Sequence, residues 1–438
     1  MKNLRCDVCV VGLGSGGFGA AYEAGISGLS VIGVEKNPMP GGTSVFCGVN
    51  SWERGVGGNG VHYKIYDELK KRDAVALGSY TKVYRDDEAV TAFVEKNSSF
   101  EYKNSLRRHH GGIVTFEPEE MADVMYGILA DVGVTGLYNT EYISCDVNES
   151  KIESITVRLN DSDDYIRIFA KVFIDCTADI YLAQDSGCEV EFDTSKPMNS
   201  VSQMFRITRK SESSVDPLPA FAEGELEFVK ERKSDIIFNE YPSGDYNGNP
   251  LSLMDGIEYY NLPAEERLQK ARAQVYAFWY YLQTVRFELR HYRLKELFPR
   301  IGIREGVRLV GRYVLTIDDI RAGYLKQNKK DQLVAFADHA VDNHASDDSA
   351  ELKELEQPYG IPYECLLPKE ISNLLVACRG SSFSKAAASS CRLSRTMMAL
   401  GEAAGRAAFE AVKKNMPVQD VKPETVVPYE VTLPKFLK

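Results

Sequence analysis

Three glycines at fixed spacing stand between a β-rich run and a stretch of helical pattern near the start of the chain. They are Gly12, Gly14 and Gly17, in a Gly-x-Gly-x-x-Gly arrangement. In a strand–turn–helix unit the first glycine permits a tight turn, the second lets the backbone approach a pyrophosphate, and the third lets helix and strand pack closely. The N–H groups of the helix N-terminus attract the phosphates. The pattern predicts a dinucleotide-binding turn made of Gly12, Gly14, Ser15, Gly16 and Gly17.

An acidic residue ends the second predicted strand. Glu35 follows the β-rich residues 30–34, and a carboxylate in this place accepts hydrogen bonds from ribose hydroxyls. Its negative charge also disfavours a cofactor that carries a 2′-phosphate. These residues indicate an adenine dinucleotide, and on their own they leave both NAD and FAD open.

Further segments along the chain resemble one family of flavoproteins. They are Glu35-Lys36-Asn37-Pro38-Met39-Pro40-Gly41-Gly42-Thr43-Ser44, Cys176-Thr177-Ala178-Asp179, and residues 304–316, 361–368, 373–379 and 390–405. The first is similar to the second flavoprotein signature, an acidic residue followed by a Gly-Gly pair, and the next is similar to an Ala-Thr-Gly-Asp element. From Asp7 to about Ala411 the chain resembles the bacterial FAD-dependent oxidoreductases, a branch of the glutathione-reductase-like flavoproteins related to fumarate reductase flavoproteins.

The resemblance implies that the cofactor is FAD and assigns residues to its binding. In such proteins the Gly-Gly pair lies near the pyrophosphate, and the N-terminal end of the helix in 390–405 faces the flavin pyrimidine ring. A helix N-terminus there stabilises the negative charge of a reduced flavin. Ala178 and Cys378 stand where glycine is more usual. The residues assigned to FAD beyond the first turn and Glu35 are Lys36, Gly41, Gly42, Thr43, Ser44, Tyr142, Cys176, Thr177, Ala178, Arg379, Arg392 and Leu393.

Two residues are the candidates for catalysis. His344, in Asp342-Asn343-His344, falls where relatives often carry Asp-x-His and can move a proton as the flavin takes hydride; the alternative is a solvated loop histidine. Arg304 can bind a substrate carboxylate or an enolate-like charge, or else form a structural salt bridge with Glu305. No metal site is predicted, because Cys6-x-x-Cys9 lies on a predicted strand, where residues three apart face opposite sides. The adjacent His109 and His110 have no accompanying carboxylate motif.

Composition narrows the class of partner. The net charge of -11 argues against nucleic acid, whose partners present a basic face. No apolar run approaches the roughly 18 residues of a membrane span, and no leader pattern stands at the N-terminus. The nine cysteines are scattered, which favours reduced thiols. We therefore expect a cytoplasmic protein with a small-molecule substrate.

The elements that must position these residues begin with the βαβ unit. The predicted fold class is α/β, a Rossmann-like three-layer FAD-binding domain with an inserted substrate or cap domain. We expect the FAD-binding domain to comprise residues 1–195 and 360–438, and the cap domain to comprise residues 196–359. The sequence also predicts long helices over 265–297 and 386–413, and a loop with one short helix over 326–357.

The predicted function is hydride transfer between a small polar metabolite and the flavin. No second glycine fingerprint follows a strand, so a pyridine-nucleotide domain is not expected, and the flavin would be reoxidised by an unidentified electron acceptor. One alternative is a flavin monooxygenase that uses NAD(P)H and oxygen. The other is a flavin-bearing binding protein without catalysis, which the departures at Ala178 and Cys378 keep open.

Overall fold

The computed structural model describes residues 2–53, 56, 60–79, 82–84, 113–162, 164–342, 355 and 357–427. The strands are β1 (Lys2–Val11), β2 (Val31–Val34), β3 (Ser51–Glu53), β4 (Val75–Ser79), β5 (Lys82–Tyr84), β6 (Ile113–Phe116), β7 (Thr135–Leu137), β8 (Thr140–Asn148), β9 (Lys151–Leu159), β10 (Tyr165–Asp175), β11 (Val190–Glu191), β12 (Phe205–Arg209), β13 (Ile236–Glu240), β14 (Tyr246–Pro250), β15 (Tyr292–Leu297), β16 (Arg308–Leu309), β17 (Leu333–Ala337), β18 (Tyr359–Pro362) and β19 (Leu374–Val376). The α-helices are α1 (Ser15–Ile26), α2 (Thr43–Phe46), α3 (Val61–Lys71), α4 (Pro118–Asp131), α5 (Tyr181–Asp185), α6 (Leu226–Arg232), α7 (Gly256–Asn261), α8 (Ala264–Val285), α9 (Ile317–Ala322), α10 (Lys385–Cys391) and α11 (Ser394–Lys414).

The main sheet has a parallel centre, in the order β7-β2-β1-β10. β19 adds to β10 in parallel, whereas β9 and β8 continue from β10 in antiparallel pairs. The last residue of β1, Val11, pairs with both Val34 of β2 and Asp175 of β10. The carboxyl ends of these strands therefore meet at one edge, where open α/β sheets bind their ligands. The α/β class and the Rossmann-like arrangement predicted from the sequence are confirmed.

Two helices pack closely through small residues on one face of this sheet. A Cβ on Gly401 of α11 would stand 1.9 Å from the carbonyl oxygen of Gly16 in α1, and a Cβ on Gly405 would stand 2.7 Å from that of Ala20. Only residues without a side chain allow backbones to approach this closely. The contact joins the dinucleotide turn to the C-terminal helix.

A second sheet, ordered β13-β14-β12-β15, is antiparallel and carries its own apolar core. α8 lies over it, and Trp279 of α8 packs on Phe205 of β12 with ring centroids 5.9 Å apart. The indole N–H of Trp279 donates to Asp216 at 2.7 Å. This core supports the proposal of a separate cap domain, but its buried members lie only between residues 205 and 289, whereas Leu309, Leu315 and Ala335 pack in the core of the main sheet.

Three predicted elements differ from the structure. The helix predicted over 265–297 ends at Val285, and the alternating run Tyr292–Leu297 instead pairs with β12 as a strand. The helix predicted over 386–413 is broken, because Leu393 adopts an extended backbone between α10 and α11. The segment 326–357 includes the fully buried strand β17, whose continuous apolar run is typical of strands buried on both faces.

Candidate functional site

The first glycine turn joins β1 to α1 at the carboxyl edge of the main sheet. Gly12 has a φ of 91°, which a side chain would strain. A Cβ on Gly17 would stand 1.7 Å from the carbonyl oxygen of Gly12, and a Cβ on Gly16 would stand 1.9 Å from that of Ala377. Gly14 precedes α1, whose N-terminus is capped by no side chain of the described residues. Because the glycines carry no side chains, a pyrophosphate can approach the free N–H groups of this helix N-terminus.

Glu35 lies buried beside this turn, immediately after β2. Its carboxylate accepts hydrogen bonds from the backbone N–H of Leu13 at 2.7 Å and of Asn37 at 3.0 Å. Burial raises the pKa of Glu35, and these two bonds oppose the rise. Lys36, the next residue, is exposed. Glu35 is thus held at the strand end, where a ribose hydroxyl is expected.

The Gly-Gly pair closes the other side of the turn. Gly41 and Gly42 have φ values of 123° and 50°, and a Cβ on Gly42 would stand 2.8 Å from the Cα of Gly14. Helix α2 begins at Thr43. The buried hydroxyl of Ser44 has no hydrogen-bond partner within the described part of the chain. The two glycine segments form one backbone-lined cradle with a buried hydroxyl left for a ligand.

The segment after β10 forms the third wall of the cradle. A Cβ on Gly12 would stand 2.5 Å from the carbonyl oxygen of Cys176. The fully buried Asp175 organises this wall, because its carboxylate accepts from the backbone N–H and hydroxyl of Thr177 at 2.9 and 2.8 Å. Burial raises the pKa of Asp175 against these bonds. Ala178 adopts a φ of 70°, a left-handed conformation that favours glycine.

Arg379 follows β19 and faces the same wall. Its guanidinium pairs with Asp179 at 2.9 Å. Burial is the largest single influence and opposes the charge on Arg379, but Asp179 and Tyr260 together outweigh it and raise the pKa of Arg379 above its ordinary value. Cys378, beside it, is buried. The fixed positive charge therefore lies next to the segment that contains Ala178.

Tyr142 contacts α5, the helix that follows the segment containing Ala178. It belongs to β8, the strand at the outer edge of the main sheet, and its hydroxyl donates to Asp185 at 3.0 Å. Its assignment to FAD stays a prediction from the sequence.

The N-terminus of α11 starts at the break between α10 and α11. Leu393 is the N-cap residue, and no side-chain bond from the described residues satisfies this helix end. In the first turn, the buried hydroxyl of Thr396 also lacks a described partner. The free N–H groups of this helix end and the buried hydroxyl can donate to the polar edge of a ring that carries negative charge.

Two guanidinium groups, of Arg392 and Arg304, lie near this helix end, and the carboxylate of Asp342 favours the charge on both. Arg392 donates to Asp342 at 3.2 Å and to the carbonyl oxygen of Arg304 at 3.3 Å. Arg304 donates to Ser200 O at 2.6 Å and to Ser202 Oγ at 2.9 Å, and it forms no ion pair with Glu305. Burial, with the nearby charge of Arg392, lowers the pKa of Arg304 to about 10. Arg304 still carries its charge at neutral pH, so this group is cationic.

The predicted catalytic histidine, His344, lies outside the described residues. A different histidine, His339, is buried near the first turn of α11. Its Nδ1 lies 2.7 Å from the carbonyl oxygen of Ala340, and its Nε2 lies 3.6 Å from Glu53. The Nδ1 contact requires a proton on that nitrogen, which leaves Nε2 directed at the carboxylate.

A buried ion pair holds the His339 segment against α11. Arg395, in the first turn of α11, pairs with Asp338, and Arg395 also donates to the carbonyl oxygen of Val56 at 3.1 Å. Asp175, Asp338, His339 and Thr396 were not predicted from the sequence. The sequence could have indicated Asp175, because its carboxylate stands at the end of a strand, directly before a predicted cofactor segment. The other three residues reach the site through tertiary structure alone.

Other kinds of site find little support in the described ranges. No group of three or more metal-binding side chains occurs there, and the nine cysteines are all free. Cys47 is buried, and burial raises its pKa to about 12, so it is a poor nucleophile. None of the described helices is long and apolar enough to cross a membrane.

Comparison with known proteins gives a family for this arrangement. The model of the family "FAD dependent oxidoreductase" matches residues 7–428. The chain is 44% identical over 52 residues to 3-oxosteroid 1-dehydrogenase of Rhodococcus opacus, covering 12% of this chain and 10% of that protein. It is 44% identical over 54 residues to 4-oxocyclohex-2-ene-1-carboxylate 5-dehydrogenase of Sinomonas cyclohexanicum, covering 12% of this chain and 9% of that protein. The chain thus matches about a tenth of the length of these curated relatives.

Solved structures resemble the chain over nearly its whole length. A geranylgeranyl bacteriochlorophyll reductase-like protein from Thermoplasma acidophilum is 14% identical, with 98% of this chain and 83% of that chain covered and a TM-score of 0.48. L-proline dehydrogenase from P. horikoshii is 14% identical, with 96% of this chain and 97% of that chain covered and a TM-score of 0.42.

Proposed function

Because this chain belongs to the FAD dependent oxidoreductase family, we propose that it moves hydride between a small polar metabolite and the flavin of FAD. The observation that carries the proposal is the open N-terminus of α11, with the buried Thr396 hydroxyl and the guanidinium of Arg392 beside it. FAD supplies hydride-accepting chemistry, in which the ring gains negative charge. The helix end and the nearby cations would stabilise that charge.

The residues of the cradle fit FAD along its length. Glu35 would bind a ribose, and the segments around Gly14 and Gly42 would admit the pyrophosphate. The partnerless hydroxyl of Ser44 would donate to the cofactor near the Gly-Gly pair. The turn at Ala178 and the charge of Arg379 would line the path toward the helix end at Leu393. Lys36, Thr43, Cys176 and Thr177 remain proposed cofactor residues through their places on the same segments.

Proton transfer has two candidate residues. His344 remains the prediction from the sequence. We add His339, because its ring is buried near α11 and its Nε2 faces Glu53, an arrangement that can hold and release a proton. Arg304 would orient an anionic substrate group. The electron acceptor that completes the cycle is unidentified.

The first experiment is the visible absorption spectrum of the purified protein, followed by denaturation and chromatography of the released chromophore. A flavin spectrum with free FAD released supports the proposal. A colourless protein that takes up no added FAD contradicts it. If FAD is bound but the flavin does not exchange hydride with a metabolite, the assignment of the cofactor site stands and the proposed reaction is wrong.

The reaction is tested next, on the FAD-loaded protein. Anaerobic bleaching of the flavin by a metabolite is the expected result and distinguishes an enzyme from a flavin-bearing binding protein. Oxygen consumption that depends on both NAD(P)H and a substrate would instead identify a monooxygenase. A flavin that no metabolite and no pyridine nucleotide reduces would favour the non-catalytic alternative.

A further inference from the structure

A small cavity lies beside Arg379, between parts of the chain from 199–308 and from 379–389. Residues that line it include Asn199, Arg304, Glu305, Arg308, Arg379 and Lys385. It holds about 10 Å³ of free space, which is room for about one water-sized group. Four of these side chains are cationic and one is acidic, so the cavity has an excess of positive charge.

Arg308 is the least satisfied of these cations. Its side chain is only 4% exposed, and its Nε has no hydrogen-bond partner within the described residues. The nearest carboxylate atoms stand at 3.5 Å in Glu191, itself half exposed, and at 3.7 Å in Glu305. Both distances exceed those of a good charge-assisted hydrogen bond. Its one printed hydrogen bond runs from Nη1 to the carbonyl oxygen of Gly306 at 3.3 Å, so this buried guanidinium is only weakly paired, which is costly.

The carboxylate of Glu305 is already engaged by several groups. It accepts from the backbone N–H and side-chain amide of Asn199 at 3.0 and 3.1 Å. It also lies 3.5 Å from the ammonium of Lys385. Glu305 therefore cannot neutralise Arg308, Lys385 and the neighbouring Arg304 together.

We propose that this cavity binds a carboxylate group of the substrate, with Arg308 donating through its partnerless Nε. Lys385 would supply a second contact, and the fixed charge of Arg379 would favour the anion from the cofactor side. The free space takes one oxygen-sized group, so only one oxygen of the carboxylate would enter the cavity, and a tetrahedral phosphate would not fit. The identity of the anion as substrate rests on the proposed function, whereas the binding of the anion does not.

The test is an acetate titration of the FAD-loaded protein, followed by thermal unfolding at constant ionic strength set with sodium chloride. Acetate should raise the unfolding temperature saturably. Lys385→Gln, with a partly exposed side chain, should raise the half-saturating concentration about tenfold, and Arg308→Lys should do the same without removing the charge. Lys369→Gln is the matched control, because Lys369 forms an exposed ion pair with Glu189 at 2.7 Å, and it should leave the titration unchanged.

Each outcome decides something specific. Equal effects of acetate and chloride would assign the site to a halide-sized anion and overturn the carboxylate proposal. Acetate binding that exists in FAD-free protein and is lost on FAD loading would assign the cavity to the cofactor and overturn it as well. If the protein takes up no FAD but Lys385→Gln still weakens acetate binding, the proposed function fails and the anion site stands.

Discussion

Ala178 has a backbone conformation that glycine adopts easily and alanine does not. Its φ is 70°, and Ile180, two residues on, has a φ of 51°. Left-handed backbone costs an ordinary residue about 1 kcal/mol or more. The strain is local to the wall that faces the cofactor, so the surrounding packing must hold it in place.

We expect Ala178→Gly to raise the free energy of unfolding by about 1 kcal/mol, measured by denaturant titration of FAD-loaded protein. The reciprocal control is Gly187→Ala, at a φ of 83° with no neighbouring atom within 4 Å of the new Cβ. It should lower stability by about the same amount. A less stable Ala178→Gly would show that the alanine methyl group contributes packing that outweighs the strain.

Glu402 in α11 predicts a pH dependence of stability. Burial raises its pKa to about 7, and Glu23 adds to the rise, while the N–H of Val61 and Arg406 oppose it. The native state therefore binds this proton more tightly than the unfolded chain. Its contribution to stability is complete below the unfolded value of 4.5 and is lost as the pH rises through about 7.

Glu402→Gln should remove this loss, because an amide keeps an acceptor for Val61 and cannot ionise. The variant should match the unaltered protein near pH 4.5 and exceed its stability by up to about 3 kcal/mol at pH 8. Glu410→Gln, on the same helix and paired with Lys414, is the control and should show no such divergence. Parallel curves of unfolding temperature against pH for Glu402→Gln and the unaltered protein would contradict the assignment.

Residues of the site differ in how far local sequence reveals them. Glu35 and the glycines of both turns were predicted, because each is required by backbone geometry close along the chain. His339 and Thr396 carry no such signal. His339 gains its significance from burial beside Glu53, far away in the chain, and Thr396 from a buried hydroxyl without a described partner; no local pattern encodes either.

At the scale of elements, the contact between α1 and α11 determines the position of the dinucleotide turn. Gly401→Ala would place a Cβ 1.9 Å from the carbonyl oxygen of Gly16, so α1 must shift. We expect a loss of about 1–3 kcal/mol in stability and weaker FAD binding, measured by unfolding and by titration of the FAD-free protein. Gly127→Ala in α4 has open space around the new Cβ and should stabilise by up to about 1 kcal/mol.

An unchanged FAD affinity in Gly401→Ala would show that the turn adjusts independently of the helix pair.

The elements that were mispredicted share one physical cause. Residues 292–297 follow a long helical stretch, and pairing with β12 decides their conformation. The break at Leu393 lies between residues that favour helix, so tertiary contacts such as the Arg392–Asp342 pair override local preference.

At the scale of the whole molecule, the two tryptophans report on different cores. Trp52 lies in the core of the main sheet, and Trp279 lies in the core of the second sheet. If the proposed domains unfold separately, FAD should raise the unfolding midpoint seen through Trp52 more than that seen through Trp279. Trp279→Phe and Trp52→Phe isolate the two fluorescence signals. Coincident midpoints with and without FAD would indicate one cooperative unit.

The α/β class of the protein was predictable because local sequence patterns at both ends of the chain indicate it. The βαβ opening and the return to FAD-binding elements near residue 373 indicated the α/β class before the structure. The separate core of the second sheet was not predictable in detail, since its strands are short and their pairing is nonlocal.

The packing of α1 on α11 also bears on biosynthesis. Glu23 and Arg406, which bond across this contact, are 383 residues apart in the chain. At roughly 5–20 residues per second, a ribosome needs many seconds to translate the segment between them. During that time α1 lacks its packing partner, and the helix N-terminus at Leu393 has not been made. Stable loading of the cofactor should therefore follow the synthesis of α11, and a nascent chain arrested before residue 394 should bind FAD only weakly.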